Sequence, residues 1–87
     1  MKIHHTISHP TTLQSILFSK RKFKTKERVL KNLQKHNKTK PNKLKTDIVE
    51  EKNFFHVRQR NPSEFNQTSL RNKRVSNGVI IVIGHLK

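Results

Sequence analysis

Apolar residues in this chain are grouped into a few short segments that are separated by long polar stretches. Residues 13–18 are apolar on both faces of an extended chain, which predicts a buried strand. Residues 48–60 predict a second strand, best defined by the alternation over 54–60 and ended by Asn61-Pro62 because proline cannot donate a hydrogen bond to a sheet. Residues 79–83 are continuously apolar and predict a third strand, entered through the tight-turn pair Asn77-Gly78.

One helix is predicted between the first two strands. Val29, Leu30 and Leu33 form a narrow apolar stripe at helical spacing. Thr25 is suited to cap its first turn, and Asn37 is suited to the left-handed conformation that often ends a helix. Lysines occupy much of the remaining surface and would repel one another in an isolated helix. The helix therefore needs a sheet to pack on, or an anion against its outer face.

The order of these elements predicts a small α+β domain of β-α-β-β type. A three-stranded, mainly antiparallel sheet with the helix on one face is the smallest arrangement that buries both apolar surfaces. We expect the last two of these strands to lie antiparallel. Residues 1–12 are predicted to be a flexible, disordered tail, and residues 13–87 a single basic domain in which 63–77 form a polar loop.

The charge of the chain adds a function to this fold. The 87 residues include 20 Lys and Arg against five Asp and Glu, a net charge of +15. Twelve of these cations and a single acid lie between residues 20 and 45. A polyanionic partner offsets such self-repulsion, and each neutralised phosphate releases counterions that drive binding. We therefore predict a nucleic-acid-binding protein that contacts phosphates with little sequence preference, and DNA and RNA stay equal candidates.

Besides the cations of the helix itself, candidate phosphate contacts fall into three groups, and the first two have a plainer alternative. The cluster Lys20-Arg21-Lys22, with Lys24 and Lys26, is a phosphate clamp, a nuclear-localisation-like signal or a solvated face. Arg58 and Arg60, beside Phe54 and His56, form a surface for phosphates and bases, unless Phe54 lies under the helix. The third group lies in the predicted loop. The complete set of candidates is Lys20, Arg21, Lys22, Lys24, Lys26, Arg28, Lys31, Lys35, Lys38, Arg58, Arg60, Arg71, Lys73 and Arg74.

The sequence offers little to catalysis. The absence of cysteine excludes disulfides, thiol catalysis and cysteine-ligated zinc. His4, His5 and His9 are either a weak metal-binding cluster or an exposed polar tail, and we predict no metal site because a lead-in offers no fixed frame. Glu50 and Glu51 would point to opposite faces of a strand, and two glycines make no phosphate-binding loop. We predict a protein that is not an enzyme and needs no cofactor.

Membrane and secretory roles are disfavoured. The N-terminus lacks the apolar core of a signal peptide, so the protein is not expected to be secreted. The apolar run 79–83 is far shorter than the roughly 20 residues that span a bilayer in a helix. A module that lies on a membrane surface would need more than the three apolar anchors of the helix.

Four segments together resemble a small basic domain found in proteins of tailed phages and giant viruses. They are LQSILFSKRKF at 13–23, LQKHN at 33–37, FFHVRQRNPSEF at 54–65 and GVIIVIGHLK at 78–87. The resemblance covers nearly everything after residue 12 and implies a viral setting, and it assigns no active site. The chain departs from the pattern at Asn37, where a glycine is expected, and at Asn32, where a large aromatic is expected and the helix would pack less area.

The resemblance keeps a second function open. The chain could be a minor structural piece of a virion or of another large assembly such as a ribosome, with 79–83 adding to a neighbour's sheet or to a second copy by strand pairing. The virion, the host cytoplasm and viral factories are the expected locations. Loss of nucleic-acid binding with rising salt distinguishes the first function from the second.

Overall fold

The computed structural model describes residues 11–87. Of the predicted tail, only Thr11 and Thr12 belong to this range, so the histidines at 4, 5 and 9 lie outside the described residues. The elements, in chain order, are β1 (Thr12–Ser19), α1 (Lys20–Phe23), α2 (Lys26–Thr39), β2 (Ile48–Glu50), β3 (Phe54–Arg58), two short 3-10 helices (Pro62–Glu64 and Gln67–Ser69), β4 (Arg71–Ser76) and β5 (Val79–Gly84).

One antiparallel sheet has the strand order β2-β3-β1-β5-β4, and α2 lies on one face of it. The α+β class is confirmed, but the prediction of three strands was wrong, since the described residues form five. The sequence pattern merged β2 with β3 and placed β4 in a loop. In β4 only Val75 is apolar, so the strand follows from pairing with β5 and has no alternation of its own.

The two strands that the sequence placed last in the sheet are not neighbours. β3 and β5 each pair antiparallel with β1, on opposite sides of it. They therefore run parallel to each other, and the predicted antiparallel relation was wrong. Because β4 covers the other side of β5, residues 79–83 offer no free edge for pairing with a neighbouring sheet or a second copy.

The main helix begins as predicted and ends later. The side chain of Thr25 accepts a hydrogen bond from the backbone N–H of Arg28 at 3.3 Å, which confirms the cap. The predicted end near Asn37 is two residues early and Asn37 is not the cap, because α2 continues to Thr39 and Lys40 follows with an extended φ of −115°. The Asn37 amide instead accepts from the N–H of Leu44 at 2.7 Å and donates to its carbonyl at 3.0 Å.

The core lies between α2 and the centre of the sheet. Val29 and Leu33 are fully buried against apolar residues of β1 and β3. Opposite pairs in those strands supply this surface, which consists of Ile16, Phe18, Phe55 and Val57. Because neighbouring side chains in a strand point to opposite faces, Phe54 faces away from the helix. The alternative in which Phe54 lies under the helix was therefore wrong.

The turn between β4 and β5 is confirmed and has a second contact. Gly78 has a φ of +81°, a conformation that side-chain-bearing residues rarely adopt. A Cβ atom at this position would lie 2.6 Å from the Cβ of Lys22. Glycine therefore allows the hairpin turn to approach α1 closely, and this contact fixes the start of the basic segment against the sheet.

Candidate nucleic-acid interface

Four cations follow one face of α2. Arg28, Lys31, Lys35 and Lys38 are separated by three, four and three residues, and all are exposed. This spacing keeps them on one side of a helix, away from the buried Val29. At a rise of 1.5 Å per residue the row is about 15 Å long. We call this row the basic stripe.

The basic stripe continues onto α1. Lys22 and Phe23 line a shallow depression of about 360 Å³ together with the first three members of the stripe. The ring of Phe23 meets that of Phe18 edge to face, with centroids 4.9 Å apart. Lys24 joins the two helices with a φ of +66°, which is uncommon for a residue other than glycine. The turn thus sets α1 beside α2, and Lys24 itself is exposed.

The cations of β4 are divided between the two faces of the sheet. Arg71 and Lys73 pair with Ile83 and Ile81 in register, so they project from the face that carries α2. Arg74 pairs with Ile80 and projects from the opposite face. Two of these three candidates therefore share a side with the basic stripe.

The structure does not bring Arg58 and Arg60 to that side. Arg58 follows His56 on the face opposite α2, and Arg60 donates to Glu64 at 2.8 Å. Both line a depression of about 680 Å³ that also contains Asp47 and other acids. Three of the five acids of the chain line this depression, namely Asp47, Glu51 and Glu64. Its mixed charge suits a polyanion less well than the basic stripe.

Lys20 is already paired within the molecule. Its Nζ donates to Oε2 of Glu50 at 2.7 Å and lies 5.5 Å from the centroid of the Phe55 ring. The hydrogen bond from Lys20, and then its charge, hold the pKa of Glu50 below its usual value. Of the other candidates on this segment, Arg21, Lys22, Lys24 and Lys26 are exposed.

Sequence reasoning missed the placement of β4 and of the acids. The pair Asn77-Gly78 was the available signal for β4, because a hairpin turn requires a strand on both sides. The gathering of acids beside β3 follows from the β2–β3 pairing, in which Val49 lies opposite His56. The pattern of the sequence had no indication of that pairing.

Within residues 11–87, no group of three His, Cys, Asp or Glu residues could hold a metal ion. In the same range, no helix is long and apolar enough to cross a membrane. Comparisons of the chain with protein-family models, curated proteins and solved structures gave no match. The fold and the site define a small basic α+β domain with one strongly cationic helix.

Proposed function

We propose that this protein binds nucleic acid through phosphate contacts from the basic stripe, with little sequence preference. The observation that carries the proposal is the exposed row of four cations on α2, and none of the four forms an ion pair with an acid among residues 11–87. Lys22 at one end of the row, and Arg71 and Lys73 on the same side of the sheet, extend the cationic area.

The mechanism is electrostatic. Each lysine or arginine that meets a phosphate releases condensed counterions, and this release drives association without reading the bases. The fixed backbone of α2 presents the cations at intervals of about one helical turn, roughly 5 Å. Because four side chains on a packed helix are already aligned, little of the helix has to be ordered on binding.

A role in an assembly is the second function, and one observation favours it. The helix side of the sheet is incompletely covered, and Val75 of β4 is half-exposed there. A viral setting, either in a virion or in the host cytoplasm, is proposed from the sequence resemblance alone.

The test is a salt series with random-sequence duplex DNA and with RNA, measured by fluorescence anisotropy. If four to six phosphates are neutralised, the slope of log affinity against log salt on duplex DNA is about −4 to −5. A synthetic polyglutamate serves as the control for charge alone. Absence of binding at low salt, or equal affinity for polyglutamate, would contradict the proposal and leave the assembly function.

A further inference from the structure

Among residues 11–87, no helix covers the β5–β4 half of the sheet. The residues of α2 pack on β1 and β3 at the centre of the sheet, and a depression of about 400 Å³ opens between α2 and the β5–β4 half. We call it the apolar groove. Its floor is made of aliphatic residues from β4, β5 and β1. Those that matter here are Val75, Val79, Ile81, Ile83 and Leu13.

The floor of the apolar groove is partly open to solvent, and Ile83 is the buried member of it. Val75 is 50% exposed, whereas Val79 and Ile81 are partly buried against the core. The polar residue Asn32 lines the groove on the helix side, where an aliphatic or aromatic side chain would have filled it. Aliphatic surface left in this state stabilises the complex when a partner covers it, by roughly 25 cal/mol for each Å² removed from water.

Both rims of the apolar groove are cationic. Arg28 and Lys35 flank Asn32 by one turn on either side along α2. Arg71 and Lys73 project from the same face of the sheet on β4. No acid lines the groove or the neighbouring depression at α1. An apolar floor between two basic rims is complementary to an apolar stripe between two acidic rows.

We propose that the apolar groove binds an amphipathic helix of a partner protein, with acidic residues on both sides of its apolar stripe. A second copy of this chain would bring a net charge of +15 to the same rims. The first ten residues of the chain contain Lys2 and no acid, so they are not complementary in charge to the rims either. Nucleic acid is complementary in charge to the rims but offers no aliphatic surface to the floor. The helix-in-groove mode satisfies both.

The test uses a synthetic peptide of about 16 residues, with leucine at i, i+3, i+4 and i+7 and glutamate on the flanks. A scrambled peptide of the same composition is the control for charge. We expect the ordered peptide to bind at least about tenfold more tightly, because only it presents its leucines together to the floor of the groove. Equal affinity of the two peptides would overturn the proposal.

Two variants assign the binding to the groove. Asn32→Phe should fill the apolar groove, and Val75→Glu should place a negative charge on its floor. Each should weaken the binding of the ordered peptide about tenfold or more. The matched control is Val49→Glu, at a valine that is 57% exposed on the opposite edge strand. Circular dichroism confirms that each variant folds. Equal affinities of Val75→Glu and Val49→Glu for the ordered peptide overturn the proposal. It is also overturned if Asn32→Phe and Val75→Glu weaken the binding of duplex DNA and leave the binding of the peptide unchanged.

Discussion

The two edges of the sheet differ in charge. At the β4 edge, Arg71, Lys73 and Arg74 are exposed and the strand contains no acid. At the β2 edge, three acids stand within five residues, and two of the cations near this edge are paired, Lys20 with Glu50 and Arg60 with Glu64. The two halves share one sheet and one core, so the difference lies in the surface.

This difference shows how an excess of charge becomes a directed field. A net charge of +15 spread evenly would repel partners of one sign and attract those of the other from every side. Here four of the five acids lie between residues 47 and 64, at one end of the sheet. The basic stripe, α1 and part of β4 are left as the cationic side. The molecule therefore has one preferred side for an anion.

Neutralising the basic stripe should have the largest effect. With all four of its cations changed to glutamine, we expect duplex affinity at 0.15 M salt to fall about 10²–10³-fold and the salt slope to lose about 3–4 units. Glutamine preserves helix propensity, so circular dichroism should be unchanged. Anisotropy titrations at several salt concentrations measure both quantities.

The matched control removes the same charge from the other edge. Lys45, Lys52, Arg58 and Arg60 are exposed residues beside β2 and β3, and changing all four to glutamine lowers the net charge equally. We expect the affinity to fall at least tenfold less than for the basic stripe, because only local contacts release counterions. Equal losses for the two quadruple variants would mean that net charge alone binds the polyanion, and the comparison would fail.

The connection between α2 and β2, residues 40–47, gives the next largest effect. The buried amide of Gln59 accepts from the N–H of Lys45 at 2.8 Å and donates to its carbonyl at 3.0 Å. Asn37 holds the preceding Leu44 in the same way from α2. We expect Gln59→Ala to lower the free energy of unfolding by about 1–3 kcal/mol, because two backbone groups lose partners.

Urea unfolding followed by circular dichroism measures this change. Gln34→Ala, at an exposed position on α2, is the control and should stay within about 0.5 kcal/mol of the parent. If Gln59→Ala changed the free energy of unfolding as little as Gln34→Ala, we would infer that water satisfies the freed backbone groups. The connection would then be held by Asn37 and the core alone.

The sequence predicted the central part of this fold and missed its edges. The strands β1, β3 and β5 and the start of α2 follow from apolar spacing and from a threonine cap. β4 has a single valine, so pairing with β5 alone makes it a strand. Asparagine often ends a helix, yet the amide of Asn37 bonds to Leu44 seven residues later. Local preference could not predict that contact.

The candidate site was predicted in the same partial way. The cations of α2 were evident from their density, and helical spacing places them on one face. The separation of Arg58 from that face depends on the alternation of β3 relative to Phe55, which packs under α2. The apolar groove depends on the position of β5 between β1 and β4. Long-range pairing of strands is what the sequence pattern could not supply.

The smallest effect concerns the ion pair that joins the two regions. Lys20 precedes the basic stripe, and Glu50 belongs to the β2 edge of the sheet, the acidic edge. Because Lys20 lowers the pKa of Glu50 in the folded chain, the pair stabilises the fold above the ordinary carboxyl pKa of 4.5. That stabilisation is lost as pH falls through the lower folded-state pKa. Since the pair is exposed, its contribution should be smaller than that of Gln59.

Glu50→Gln should therefore reduce stability slightly at pH 7 and by less at pH 2, because the pair weakens as Glu50 is protonated. In a Lys20→Met background the same substitution should have no effect at either pH, and the double-mutant cycle isolates the pair. The substitution also frees Lys20 for phosphate, so duplex affinity at 0.15 M salt should rise, by at most about fivefold for one added contact. A fall in affinity would mean that Glu50 holds Lys20 in the position that binds, and that the acidic edge supports the cationic side instead of opposing it.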